Sequence, residues 1–378
     1  MRTLLRSLCL AGLVALPVAV HAEPEAGAHS PMPSMGDLLK ASGVSFGGYI
    51  DTSYDYLDGD GAFTSGVANR VFEGDPSGFN LHQAALILAK QPAEGVGGLV
   101  NITAGSDADI IAAAGSDAGG AYAGIDNFDV TQAFLQYATG GLTVMAGKFV
   151  TMAGAEVINS TGNANASRGI LFGYAIPFGH TGVRTSYKLN DNLTLIAGVN
   201  NGWDEQSDSN DQKTGELCAL ITAGPVAFGA VAYVGQETVA PGITDDRTLV
   251  DVVASFTAGM ATVVLNADLG EQKNTDGLDI GTDANWSGVA GYLNLKFSDT
   301  FATSLRAEYF DDEDGYRTGV VQKWKEVTLT TNFTIDNNLS VMPEIRLDSS
   351  DQDSFSKSGG TEVDDSQLGA MIKAVYKF

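Results

Sequence analysis

The feature that most constrains this chain is a rhythm. From Val44 onward, runs of about ten residues alternate apolar with small or polar side chains, the period-2 mark of a β-strand. The intervals between the runs alternate as well. Short ones carrying turn residues fall at Pro92 to Gly95, Gly140-Gly141, Asn190 to Asn192, Gly224-Pro225, Ala258-Gly259, Ser298 to Thr300 and Asp336 to Asn338. Long ones, rich in Asp, Gly, Ser and Asn, fall near 57–78, 106–127, 152–179, 201–213, 235–247, 270–285, 311–323 and 349–366. Eight long loops and seven short turns thus separate sixteen strands. A closed antiparallel barrel in an outer membrane has this asymmetry, whereas a soluble sandwich does not predict it. Ten residues at about 3.3 Å each, tilted about 45°, rise about 23 Å, close to the apolar band of such a barrel. The expected fold class is all-β, a transmembrane antiparallel β-barrel of 16 strands over 44–378.

The two faces of each run agree with a bilayer outside and water inside. Val183, Thr185, Tyr187 and Leu189 alternate with Arg184, Ser186 and Lys188; Val327, Leu329, Phe333 and Ile335 alternate with Glu326, Thr328, Thr330 and Asn332. Leu305, Ala307 and Tyr309 oppose Ser304, Arg306 and Glu308, and Leu339, Val341, Ile345 and Leu347 oppose Ser340, Glu344 and Arg346. The charged set is expected to face the lumen. Aromatic residues gather at strand ends, with Tyr54, Tyr56, Trp203, Trp286, Tyr309 and Trp324 at the outer ends and Phe297, Phe301, Tyr376 and Phe378 at the inner. These positions predict two interfacial girdles, although soluble cores also gather aromatics.

At the N-terminus, Arg2 and Arg6 precede the apolar stretch Leu8–Val20 and the small-x-small site Val20-His21-Ala22. The pattern predicts a secretory signal peptide over 1–22, cleavage near Ala22 and a periplasmic segment over 23–43 leading into the barrel. The whole chain carries 46 Asp and Glu against 21 Lys and Arg. With Arg2 and Arg6 removed, 19 basic residues remain and the net charge becomes −27, which disfavours nucleic acid as a partner. Cys9 leaves with the signal, so no intrachain disulfide is expected at Cys218.

Other readings fail on local chemistry. Leu217–Gln236 is uncharged apart from its flanks and long enough for a spanning helix, but Gly224-Pro225 at its centre would break one and instead joins two strands. Gly43-Val44-Ser45-Phe46-Gly47 matches the nucleophile-elbow pattern, yet Ser45 begins an extended strand rather than a strand-to-helix turn. His29, His82 and His180 lie far apart, with no zinc spacing and no cysteine pair. No calcium loop of the D-x-[DN]-x-[DN]-G type is present. An enzyme is not expected, nor a cofactor or a metal.

Four segments carry a family resemblance: GYIDTSYDY at Gly48–Tyr56, FNLHQAALIL at Phe79–Leu88, FDVTQAFLQY at Phe128–Tyr137, and above all Gly147–Trp203. The last contains GKFVTMAGAEVINSTGNANASRGILFGYAIPFGHTGVR and LTLIAGVNNGW. The chain resembles the OmpL-like β-barrel porin-2 family, strongly over residues 44 to about 205 and beyond them mainly in strand and turn rhythm. The family's proline near Ser160 and its larger residue at Gly179 are absent here, which touches loop shape rather than fold. The final alternation Leu368, Ala370, Ile372, Ala374, Tyr376 and Phe378 resembles the C-terminal signal read by the barrel assembly machinery. The resemblance implies an outer-membrane channel.

In a sixteen-stranded barrel the default activity is passive diffusion of small solutes and ions. The third long loop, 152–179, contains Ile170, Leu171, Phe172, Tyr174, Ile176 and Phe178, a poor composition for a solvated tip, and is expected to fold inward and narrow the pore. Glu156 and Arg168 would then face the wall residues Arg184, Arg306 and Arg346 as the pore constriction. Those wall charges read as largely basic, while the outer loops hold Asp204, Glu205, Asp208, Asp211, Asp311, Asp312, Glu313, Asp314, Asp351 and Asp353. The acidic vestibule favours a weak cation preference. The alternative is a barrel serving as a surface adhesin or structural anchor, which a lumen filled with bulky side chains would favour. A homotrimer is compatible with either.

Overall fold

The computed structural model describes residues 39, 41–73, 77–112, 127–240, 243–273, 283–357 and 361–378. The expected signal peptide 1–22 and nearly all of the leading segment 23–43 lie outside them. Sixteen strands close into one barrel: β1 (Ser45–Leu57), β2 (Ser77–Lys90), β3 (Gly95–Ala104), β4 (Phe128–Thr139), β5 (Leu142–Val150), β6 (Gly179–Lys188), β7 (Leu193–Asn200), β8 (Thr214–Ala223), β9 (Val226–Ala240), β10 (Ile243–Ala258), β11 (Ala261–Lys273), β12 (Asp283–Lys296), β13 (Phe301–Asp312), β14 (Gln322–Thr334), β15 (Leu339–Ser350) and, last, β18 (Ser366–Lys377). The intervening β16 (Phe355–Lys357) and β17 (Glu362–Asp364) form a small hairpin within the eighth loop. Every neighbouring pair is antiparallel, and β1 pairs with β18 from Tyr49↔Lys377 to Leu57↔Gly369, so the barrel has no free edge. Among the described residues no helix is long and apolar enough to cross a membrane.

All seven short connections are tight. The β4–β5 turn is two glycines, Gly140 and Gly141, with φ of 55° and 87°, a combination that only the primed hairpin turns demand and that a side chain resists. Gly224-Pro225 joins β8 to β9 at the centre of the uncharged stretch. The long connections differ from expectation at one place. Within the interval 235–247 the chain is strand up to Ala240 and again from Ile243: β9 and β10 pair from Thr238↔Thr244 through Gln236↔Asp246, so the hairpin extends past the band that the hydrophobic pattern marks. Polar residues hid this, because a strand outside the bilayer needs no apolar face.

The outward faces are apolar and the inward faces polar, as the alternation requires. Val327, Leu329, Leu347 and Leu305 are exposed on the outside, while Glu326, Thr328, Thr330, Arg306 and Arg346 are buried inside. The lumen nevertheless holds a large apolar core. Ile196, Cys218, Val231, Leu249, Val253, Val264, Ala290 and Tyr292 line one half of the inner wall and pack against residues of the first and third loops. Burying each large apolar side chain there is worth about 1.5–3 kcal/mol.

One packing contact yields a prediction. A Cβ on Gly270 would fall 1.9 Å from the indole of Trp286, which is 1% exposed and bonded through Nε1 to Ala175 O at 3.0 Å. Gly270→Val is therefore expected to destabilise the barrel by about 3 kcal/mol, the upper range for overpacking, measured as a lower urea midpoint in micelles.

Candidate pore lumen

The third loop leaves β5 at Val150 and re-enters the wall at β6 after crossing the barrel interior. Its apolar side chains decide which way it goes. Ile170, Leu171, Phe172, Tyr174, Ala175 and Ile176 are all buried, with a π-helical turn at Leu171–Ala175 set against β11 and β12. On that side the wall also holds the loop backbone: Met152 N donates to Tyr233 Oη at 3.0 Å and Ala155 N to Asn266 Oδ1 at 3.0 Å.

The opposite side of the loop meets charge. Arg306 on β13 donates to Glu156 Oε1 at 2.7 Å, to Ser167 O at 2.8 Å and to Glu326 Oε1 at 2.7 Å, and lies 4.0 Å from Glu308. Glu156 in turn accepts from Gly169 N at 2.7 Å, and Glu308 from Ile170 N. Glu344 on β15 accepts from Ala166 N and Ser167 N at 2.7 and 3.0 Å, while Asn165 donates to Thr330 at 2.7 Å. Arg346 donates to Arg168 O at 2.7 Å and is paired with Asp348 at 2.6 Å. The loop is thus held by carboxylates that accept its free N–H groups and by guanidinium groups that take its carbonyls. Leaving such groups unpaired in an enclosed lumen is costly.

The first loop lies over the third. Arg70 bridges to Asp348 at 2.8 Å, Tyr174 Oη donates to Ala68 O, and Phe72 packs on Phe172 and Phe178 with centroids 5.6 and 5.4 Å apart. In the second loop, helix α1 (Ser106–Ile111) is tied to the wall through Asp107, which meets His82 Nδ1 at 3.1 Å and Gln83 Nε2 at 2.7 Å. Ser53 Oγ is 2.7 Å from His82 Nε2, so the fold assembles a Ser-His-Asp row that sequence spacing did not reveal. All three side chains are buried and Asp55 also lies 3.7 Å from the imidazole. The row ties β1 to β2 and α1.

With the closed sixteen-stranded barrel and its crossing loop established, the sequence model described as "Putative beta-barrel porin-2, OmpL-like" matches residues 43–378. The chain belongs to this family. No curated protein matches it. Among solved structures, this OmpL-like barrel is similar to the anion-selective porin from Comamonas acidovorans, with a TM-score of 0.60 at 13% identity over 89% of this chain and 99% of that one. It is also similar to OprB of Pseudomonas putida, with 0.58 at 14% over 90% and 96%, and to the trimer form of OmpT, an outer-membrane protein of Vibrio cholerae, with 0.58 at 16% over 89% and 99%. At these identities the likeness is one of fold.

Of the five residues expected at a constriction, the OmpL-like barrel brings four together. Glu156 meets Arg306 directly, and Arg346 meets the main chain of Arg168. The Arg168 side chain turns back on its own loop, donating to Ile158 O at 2.7 Å and lying over the rings of Phe72 and Phe172. Arg184 stands apart: it forms a bidentate pair with Glu216 on β8, at 2.6 Å for both bonds, and stacks on Phe149 at 4.1 Å. The expected basic wall is corrected too. Lys373 pairs with Asp51 and Lys148 with Asp129, whereas the buried Asp251, Asp268 and Glu344 have no ion pair among the described residues. Each of those acids occupies an inward strand position; alternation marks Glu344 as such from the sequence, and Asp251 and Asp268 carry the same signal.

The girdle expectation requires the largest correction. Trp286 and Trp324 are 1% exposed and Trp203 8%, all inside the lumen, with Trp324 Nε1 bonded to Asp348 at 3.2 Å. Trp324 shares its face with Glu326 and Thr328, so the same alternation that placed those residues inward places the indole there. Tyr54, Tyr376 and Phe378 are exposed on the outer face.

The vestibule acids are also less free than composition implied. Asp204 Oδ1 accepts from Phe178 N at 2.6 Å and Gly179 N at 2.9 Å, clamping the end of the third loop. Burial pushes its carboxyl up to about 6 against the pull of those donors. Because the folded value lies above the unfolded one, ionisation opposes folding progressively between about pH 4 and pH 6 and by a constant amount above. Wild type should lose stability over that window relative to Asp204→Asn, measured as the difference in thermal midpoint.

Proposed function

We propose that the protein is an outer-membrane porin, a passive diffusion channel for small hydrophilic solutes and ions that the third loop narrows. The observation that carries this reading is a loop held across the lumen of a closed sixteen-stranded barrel by wall charges on one side and apolar packing on the other. A weak cation preference is supported by the acidic outer loops, with Asp208, Asp211, Asp311, Glu313, Asp314, Asp351 and Asp353, which raise local cation concentration. Secretion through a signal peptide cleaved near Ala22, insertion by the assembly machinery through the strand ending at Phe378, and assembly as a homotrimer belong to the same reading. The trimer form of the similar Vibrio cholerae structure supports the last.

The test is conductance of the refolded protein in planar bilayers under a KCl gradient, comparing wild type with Glu156→Gln. Discrete steps with a cation-selective reversal potential are expected. Neutralising Glu156 leaves the Arg306 charge less compensated, so the reversal potential should shift toward anions. Open steps without a shift would place the conducting path away from Glu156. A second reading, the anchor or adhesin, is favoured by one observation: wall residues such as Arg306, Glu326, Thr330 and Asp348 are at most 2% exposed beneath the loops. Folded, inserted protein without steps would establish that reading instead.

A further inference from the structure

Above the third loop, at the outer ends of β10 to β12, two arginines share an aromatic platform. The guanidinium of Arg247 lies 5.0 Å from the ring centroid of Trp203 and that of Arg317 lies 5.2 Å from the same ring. Arg317 also lies 5.3 Å from Trp286, which stacks on Tyr316 with centroids 5.9 Å apart. Arg247 sits on the inward face of β10 with Leu249 and Asp251.

Two like charges are held together here, with Glu237 near Arg247 and with Asp204 and Asp312 near Arg317, none of them in a salt bridge with either guanidinium. Arg247 donates to Gln272 Oε1 and Tyr316 Oη, both at 2.7 Å, and Arg317 Nε donates to Tyr174 O at 2.5 Å. Neither forms a salt bridge among the described residues, and the neighbouring acids are engaged otherwise. Glu237 accepts from Trp203 N and Thr214, Asp204 from Phe178 N and Gly179 N, and Asp312 from Arg317 N and Thr318. Both arginines are half-buried, and each guanidinium has N–H groups beyond those that donate to Gln272, Tyr316 and Tyr174. Burial and the charge of Arg247 push the Arg317 guanidinium down from its ordinary value, a stress that a bound anion would relieve.

We propose that Arg247 and Arg317, braced on Trp203 and Trp286, form a vestibular subsite for the oxyanion group of a solute, a phosphate or a carboxylate. Guanidinium forks match such oxygens with paired N–H groups, and stacking fixes their planes in advance. The subsite rests on the porin reading for its use in transport, but occupancy does not depend on conduction. An anion subsite inside an otherwise acidic vestibule would select solutes by the group they carry rather than by net charge alone.

The test is titration of the full-length folded protein in detergent with inorganic phosphate and, separately, acetate, following tryptophan fluorescence against sodium chloride of equal ionic strength. A saturable change beyond chloride is expected for at least one of the two, and the tighter assigns the class. The Arg247→Gln/Arg317→Gln variant should bind at least about tenfold more weakly, and Arg247→Lys/Arg317→Lys, which keeps the charges but loses the forks, should fall between. If the glutamine variant does not fold, the lysine variant alone decides. A response no different from chloride, or wild-type affinity in a folded variant, overturns the subsite. Oxyanion binding by protein that gives no conductance steps would sink the porin reading and leave the subsite standing.

Discussion

Arg306→Ala should lower the stability of the folded barrel by about 3–5 kcal/mol, the cost of removing one partner from a buried ionic group. Arg306 is 0% exposed and serves Glu156, Glu326 and the carbonyl of Ser167 at once, with Glu308 within 4.0 Å. Without it, three carboxylates face one another in an enclosed space, and their repulsion acts on the segment that Glu156 anchors. Glu156→Gln should cost about 1 kcal/mol, because Arg306 keeps Glu326 and the amide oxygen can still accept from Gly169 N. Urea unfolding in micelles, followed by tryptophan fluorescence, gives both values. An alanine variant within about 1 kcal/mol of wild type would mean that the loop is held by its other attachments.

Excision of residues 155–175, with a short Gly-Ser bridge in their place, should raise single-channel conductance severalfold. The loop contacts Tyr233 on β9, Asn266 on β11 and Trp286 on β12, and across the barrel Gln83 on β2 donates to Ile158 O at 2.9 Å, so it reaches from one wall to the other. A sixteen-stranded barrel freed of that segment is wide enough for an aqueous channel. Unchanged conductance would show that current passes elsewhere. Steps from the excised protein but none from wild type would identify the loop as a plug and favour the anchor or adhesin reading of the intact protein.

The two variants probe different attachments. Arg306→Ala removes one polar attachment and leaves the bonds to Glu344, Thr330 and Arg346 and the contacts of Ile170, Leu171 and Phe172 in place, whereas excision removes them all. A rise in conductance in the excised protein only would show that the attachments other than Arg306 suffice to keep the loop in place.

The strand count, the seven turns and the choice of inward and outward faces were legible in the sequence, because each depends on local chemistry. A bilayer on one side and a polar interior on the other impose a period of two on every strand, and Gly140-Gly141 or Gly224-Pro225 admits little but a turn. The inward course of the third loop was legible in its apolar content for the same reason. What only the tertiary structure decided is pairing. Whether Arg306 meets Glu156 or Arg184 meets Glu216 depends on the stagger of strands and on how far a loop reaches across the barrel, and neither leaves a trace in nearby residues. The hairpin of β9 and β10 beyond the membrane was hidden because pairing outside a bilayer requires no hydrophobic face. The three tryptophans were misplaced because their height along the strand was read before their face, and an indole that finds a lumen packed with loop side chains is buried there instead of at the lipid interface.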